Sequence, residues 1–67
     1  MWTVQEGFGP IDEGIKKCWN TRQSRRRFQT EQEADLFSEK RYDRQVARHQ
    51  RSQPDFWKSY WTRTVKV

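Results

Sequence analysis

Trp2, Val4 and Phe8 fall at even positions near the start of the chain, with Thr3 and Gln5 between them. A period of two places alternate side chains on one face of a strand, so this stretch predicts an N-terminal β-strand. Gly7, Gly9, Pro10 and Gly14 break the pattern and predict a loop or wide turn over residues 7–14. Residues 15–29 admit two readings. In a hairpin, Ile15, Lys17, Trp19 and Thr21 share one strand face, Arg22–Arg25 turns, and Arg26, Phe28 and Gln29 return. In a short helix capped by Asp12, Ile11, Ile15, Cys18 and Trp19 share one side, weakened by Gly14. The hairpin is the working expectation.

The clearest local signal is Thr30-Glu31-Gln32-Glu33, a capping box. In that motif a threonine hydroxyl accepts from the backbone NH three residues on, and the glutamate there reaches back to the cap. Glu31, Glu33 and Asp35 also place negative charge at the positive end of a helix dipole. The predicted helix runs from about 31 to 49 and stops before Ser52-Gln53-Pro54, because proline disfavours the α region in the residue before it.

The apolar positions of this helix, Ala34, Leu36, Phe37, Tyr42, Val46 and Ala47, do not share one side. Three packings are open: through Ala34 and Phe37, through Ala34, Tyr42 and Val46, or through Leu36 and Ala47 against a second copy. After Asp55-Phe56-Trp57, read as a turn, Trp61, Arg63, Val65 and Val67 alternate with Tyr60, Thr62, Thr64 and Lys66, which predicts a final strand. The expected fold class is α+β: one domain over residues 1–67, a small antiparallel sheet of three or four strands, and one helix packed across a face.

Size constrains this picture. A chain of 67 residues buries only about 60% of its unfolded surface. Hydrophobic residues make up 31% and charged residues 34%, a balance that leans toward disorder. Four Trp, four Phe and two Tyr argue the other way, since each buried ring removes about 150–250 Å² from water. No stretch approaches the ~18 apolar residues of a membrane span. Cys18 and His49 each stand alone, which fits a reducing, cytoplasmic setting and excludes an internal disulfide.

The formal charge is +5, so the expected partner is a nucleic acid or an acidic protein surface, with no membrane role. The charge alternates in blocks. Residues 16–29 hold six cations and no acid, whereas residues 30–43 hold five acids and two cations. Within the helix, Lys40, Arg44 and Arg48 recur every four residues, as do Asp35, Glu39 and Asp43 on a neighbouring side. With Arg25, Arg26 and Arg27, the basic row forms a candidate nucleic-acid surface that would follow phosphates without reading sequence. The acidic row opposes insertion into a groove.

A second candidate surface is the run Phe56, Trp57, Tyr60, Trp61 and Arg63, residue types enriched at interface hot spots. There is no phosphate-binding glycine loop, no nucleophile paired with His49 and no closed set of metal ligands. A non-enzymatic module without a metal or cofactor is the expectation.

Residues 27–37, Arg-Phe-Gln-Thr-Glu-Gln-Glu-Ala-Asp-Leu-Phe, resemble a phrase in the arm-type DNA-binding domains of phage integrases. There a basic strand ends in Phe-x-Thr and the next helix opens x-x-Glu-Ala. The resemblance covers about a sixth of the chain. It implies a three-stranded sheet against DNA, with Arg25 and Arg27 facing the duplex and the helix as support behind. Two functions therefore stand side by side. The first is contact with nucleic-acid backbone. The second is a protein–protein module, an inhibitor or adaptor encoded by a phage or mobile element, with homodimerisation as a route to bury its aromatics.

Overall fold

The computed structural model describes all 67 residues. Strand β1 (Trp2–Phe8) is followed by two short 3-10 turns, Ile11–Glu13 and Ile15–Lys17, and by strand β2 (Trp19–Gln23). Helix α1 (Glu31–His49), one-turn helix α2 (Phe56–Ser59) and strand β3 (Tyr60–Lys66) complete the chain. The sheet is antiparallel with order β2-β1-β3. It is the α+β architecture expected from the sequence, with three strands.

β1 is central. Along β3 it pairs without interruption, from Trp2 with Lys66 to Phe8 with Tyr60. On its other edge it pairs with β2 from Gln5–Gln23 to Phe8–Trp19, through a bulge between Glu6 and Phe8. Asn20 takes a positive φ of 53° on the opposite strand there.

The expected hairpin between 15–21 and 26–29 is corrected, and so is its rival helix. Residues 15–17 form a 3-10 turn, and the chain after β2 does not turn back on itself. It continues along β1: Ser24 NH donates to Val4 O, and Trp2 and Phe28 exchange backbone hydrogen bonds of 2.8 and 2.9 Å. Thr3 explains the path. Its side chain is fully buried, with Oγ1 2.6 Å from Arg26 O and 3.1 Å from Ser24 O. The single hydroxyl proton is shared between two carbonyls of the segment that runs on beside β1, with Arg26 O the nearer.

The helix begins as the sequence requires. Thr30 Oγ1 accepts from Glu33 NH at 3.2 Å. The Glu33 carboxylate meets the Thr30 hydroxyl at 3.1 Å rather than the Thr30 NH. The absence of an apolar stripe also acquires a reason, because the sheet-facing side of α1 mixes apolar with polar residues. Ala34 and Ser38 are buried, and Arg41, Gln45 and His49 continue the same strip half-buried.

Hydrogen bonds fix the helix to the strands. Ser38 Oγ donates to Thr62 Oγ1 at 2.9 Å, Thr64 Oγ1 donates to Asp35 at 2.5 Å, and Tyr42 stacks on Tyr60. At the centre Arg41 binds Glu6 through Nε and Nη2 at 2.6 and 3.0 Å, and Tyr60 OH donates to the same carboxylate at 2.9 Å. Apolar packing lies to either side. Phe28 meets Phe37 near the helix start, and Phe8, Phe56 and Tyr60 cluster near its end.

Trp61 packs on the opposite face of the sheet. It is 8% exposed and lies flat on Gly7, whose missing side chain makes room for it. A Cβ at Gly7 would stand 2.7 Å from the indole and 2.9 Å from the Thr21 methyl. Gly7→Ala is therefore expected to destabilise the fold by about 1–3 kcal/mol through overpacking, read from the urea midpoint. An unchanged midpoint would contradict the contact.

The Glu6 carboxyl is held below its usual range, first by the hydrogen bonds from Arg41 and then by that from Tyr60, against an opposing effect of burial. The Tyr60 phenol is pushed up, chiefly by burial and then by its bond to Glu6. A depressed carboxyl pKa stabilises the fold above the ordinary value of 4.5 and loses that contribution as pH falls below it. A raised phenol pKa stabilises below the ordinary value of 10.0 and loses its contribution as pH rises past it. Stability is thus expected to decline at both extremes. Glu6→Gln should flatten the acid limb and lower neutral-pH stability by about 1–3 kcal/mol, the range for a charged hydrogen-bonded group. Urea titrations across pH measure both.

Candidate functional site

The structure separates the residues that the sequence grouped by proximity. Arg25, Arg26 and Arg27 do not form one cationic patch. Arg26 lies over the rings of Phe37 and Phe28, at 5.4 and 6.0 Å. Arg27 Nη1 donates back to Ser24 O at 3.3 Å. Arg25 alone turns toward a cleft, which it lines with Arg22, Glu6 and Arg41.

Lys40, Arg44 and Arg48 are exposed on α1. At helical spacing Arg44 and Arg48 continue the side of Phe37 and Arg41, the side that meets Arg26 and Glu6. Asp35 and Tyr42 face β3 instead, and Glu39 and Asp43 line a second cleft there with Thr62 and Ser38. The helix is therefore basic toward β2 and acidic toward β3.

The aromatic run also divides. Tyr60 and Trp61 are core residues, which removes them from the candidate surface. Phe56 is half-buried between Phe8, Tyr60 and His49, with its ring 4.6 Å from the imidazole. Arg63 is exposed but engaged: Nε donates to Gln5 at 2.9 Å, and the guanidinium covers the Trp61 ring at 5.7 Å. Trp57 is 50% exposed, with Lys58 over its ring at 5.8 Å.

Sequence reasoning missed Trp19, which is 53% exposed. Its ring rests against Gly9, at a φ of +108°, and borders a hollow of about 370 Å³ with Pro54, Phe56 and Ser59. A tryptophan followed by four polar residues, Asn20 to Gln23, on an edge strand was the available signal. Trp19, Pro54 and Phe56 make one end of the molecule aromatic, and Trp57 follows Phe56 on α2.

A larger cleft of about 680 Å³ adjoins that end. Its floor is Glu6, Phe8, Phe56 and Tyr60, and Arg22 and Asn20 face Gln45, His49 and Gln53 across it. It exists because α1 lies over β1 and β3 while β2 projects beyond the helix with all five residues exposed. No cluster of three or more His, Cys, Asp or Glu side chains is placed to hold a metal ion. No helix is long and apolar enough to cross a membrane.

Comparison with protein-family models, characterised proteins and solved structures finds no match. The phrase shared with integrase arm domains is not accompanied by the strand it implies, since residues 24–28 contribute one isolated bridge at Phe28 and the third strand follows the helix.

The two exposed indoles supply a direct check. Acrylamide quenching of single Trp→Phe variants should lose part of its accessible fraction in Trp19→Phe and in Trp57→Phe, and keep all of it in Trp61→Phe. A quenchable Trp61 would contradict its placement beneath the sheet.

Proposed function

We propose that this chain is a non-enzymatic protein-binding module that docks on an acidic partner through its aromatic end, acting inside the cell as an inhibitor or adaptor. The observation that carries the reading is the half-exposure of two indoles, Trp19 beside Pro54 and the Phe56 ring, and Trp57 on the one-turn helix that Phe56 opens. Large rings left in water at one end of a small domain regain their burial energy only against another surface. Tryptophan and arginine are the residue types that dominate such interfaces.

Electrostatics agrees with an acidic partner. The chain carries +5 overall, and Arg51 and Lys58 stand on either side of Pro54–Trp57 in the sequence. Lys58 keeps a salt bridge of 3.2 Å with Asp55, so local acid is already partnered. The nucleic-acid reading is less well supported. Of the arginine triplet only Arg25 stays free of an internal contact, and the other flank of α1 presents Glu39 and Asp43.

Affinity capture with the immobilised protein tests this reading. The expected result is a discrete partner whose retention falls about tenfold or more in Trp57→Ala, a loss of about 1.4 kcal/mol, with neither duplex DNA, single-stranded DNA nor RNA altering the tryptophan fluorescence. Nucleic-acid binding that weakens steeply with salt and ignores Trp57→Ala would overturn it in favour of phosphate contact.

A further inference from the structure

The hollow beside Trp19, the cleft at Phe8 and Phe56, and the recess at Arg25 are parts of one groove. The first two share Phe8, Gln53 and Phe56, and the last two share Glu6 and Arg22. The groove follows the inner side of β2, bounded across its width by the second half of α1. One end is aromatic, with Trp19, Pro54 and Phe56. The other is cationic, with Arg22 and Arg25 on the strand side. Arg44 and Arg48 stand on the helix flank that continues from Arg41.

We infer that this groove takes an extended peptide segment of the partner, with a carboxylate side chain at the arginine end and an aromatic side chain at the Trp19 end. The inference rests on the protein-binding reading above and names where and what it binds.

Three features support it. The first is charge complementarity. The floor carboxylate, Glu6, is already satisfied by Arg41 and Tyr60, so an incoming acid meets Arg22 and Arg25 without an unpaired negative group. The second is hydrogen-bonding capacity. The side chains of Asn20, Gln45 and Gln53 line the cleft, and the hydrogen bonds of the fold are made by other side chains, such as Gln5 with Gln23 and Ser38 with Thr62. Carboxamides offer both donors and acceptors, which suits a peptide backbone exposing both.

The third is span. From Arg22 to Trp19 along β2 is about 10 Å at ~3.3 Å per residue, so an extended ligand would carry its acid and its aromatic about three to five residues apart. Such recognition by strand-like backbone contacts with pockets for selected side chains is an established mode of peptide binding.

A random-peptide phage library panned on the intact protein tests the proposal, with Gln45→Trp, which fills the groove, and Arg22→Glu, which reverses its charge, as counter-targets. Both variants are to be verified as folded by circular dichroism. Selected peptides are expected to pair an acidic with an aromatic residue at that spacing, and to bind each variant at least about tenfold more weakly. Failure to select any peptide, selection of basic sequences, or equal binding to Gln45→Trp would overturn the proposal. A dimer of the wild-type protein that Gln45→Trp dissolves would overturn it too, by assigning the groove to a second copy.

The two readings fail separately. Partner capture lost in Trp57→Ala but intact in Gln45→Trp rejects the groove and keeps the module. Capture indifferent to both rejects the module as well.

Discussion

Docking of the helix depends on a carboxylate between two donors. Glu6 projects from the central strand into the space beneath α1, where Arg41 grips it with two nitrogens and Tyr60 adds a third bond from the neighbouring strand. A half-buried carboxylate without partners would be unfavourable; with them it ties β1, α1 and β3 at one point. The apolar clusters of Phe28 with Phe37 and of Phe8 with Phe56 and Tyr60 then pack on either side of a fixed centre. The threonine contacts of β3 align the first half of the helix, where Ser38 and Asp35 meet Thr62 and Thr64.

This arrangement explains what was legible in the chain and what was not. Period-two alternation marked β1 and β3, because each has one face against the helix. The Thr30 cap and Pro54 bounded α1, since both act through local backbone chemistry. The buried side of α1 was illegible by hydrophobicity, because the residues that face the sheet include Ser38, Arg41, Gln45 and His49. Their partners lie far away in sequence, and no local pattern announces a hydrogen bond between residues 6 and 41. The path after β2 was hidden for a similar reason, since it is set by the Thr3 hydroxyl reaching the carbonyls of Ser24 and Arg26.

The candidate surface was legible by residue type but not by membership. The density of aromatics and arginines pointed to an interface. Which of them remain free depended on pairings only the fold reveals: Trp61 against Gly7, Arg63 over Trp61, Arg26 over Phe37. The separation of charge on α1 was visible as two rows, and the fold assigns each row a neighbour. Arg41 lines the cleft beside the open strand, with Arg44 and Arg48 following on that flank of the helix, and Glu39 and Asp43 border β3.

The offset of the helix from β2 bears on how this protein can change. Substitutions on β1, β3 or the inner side of α1 disturb a shared network. β2 has no helix above it and exposes each of its five residues. Thr21 and Trp19 pack near Gly7 and Gly9, whereas the Arg22 side chain makes no hydrogen bond or ion pair that holds the frame. Architecture of that kind separates the residues that hold the fold from those displayed on an open strand, so variation can accumulate along one edge of a small frame without reaching its centre.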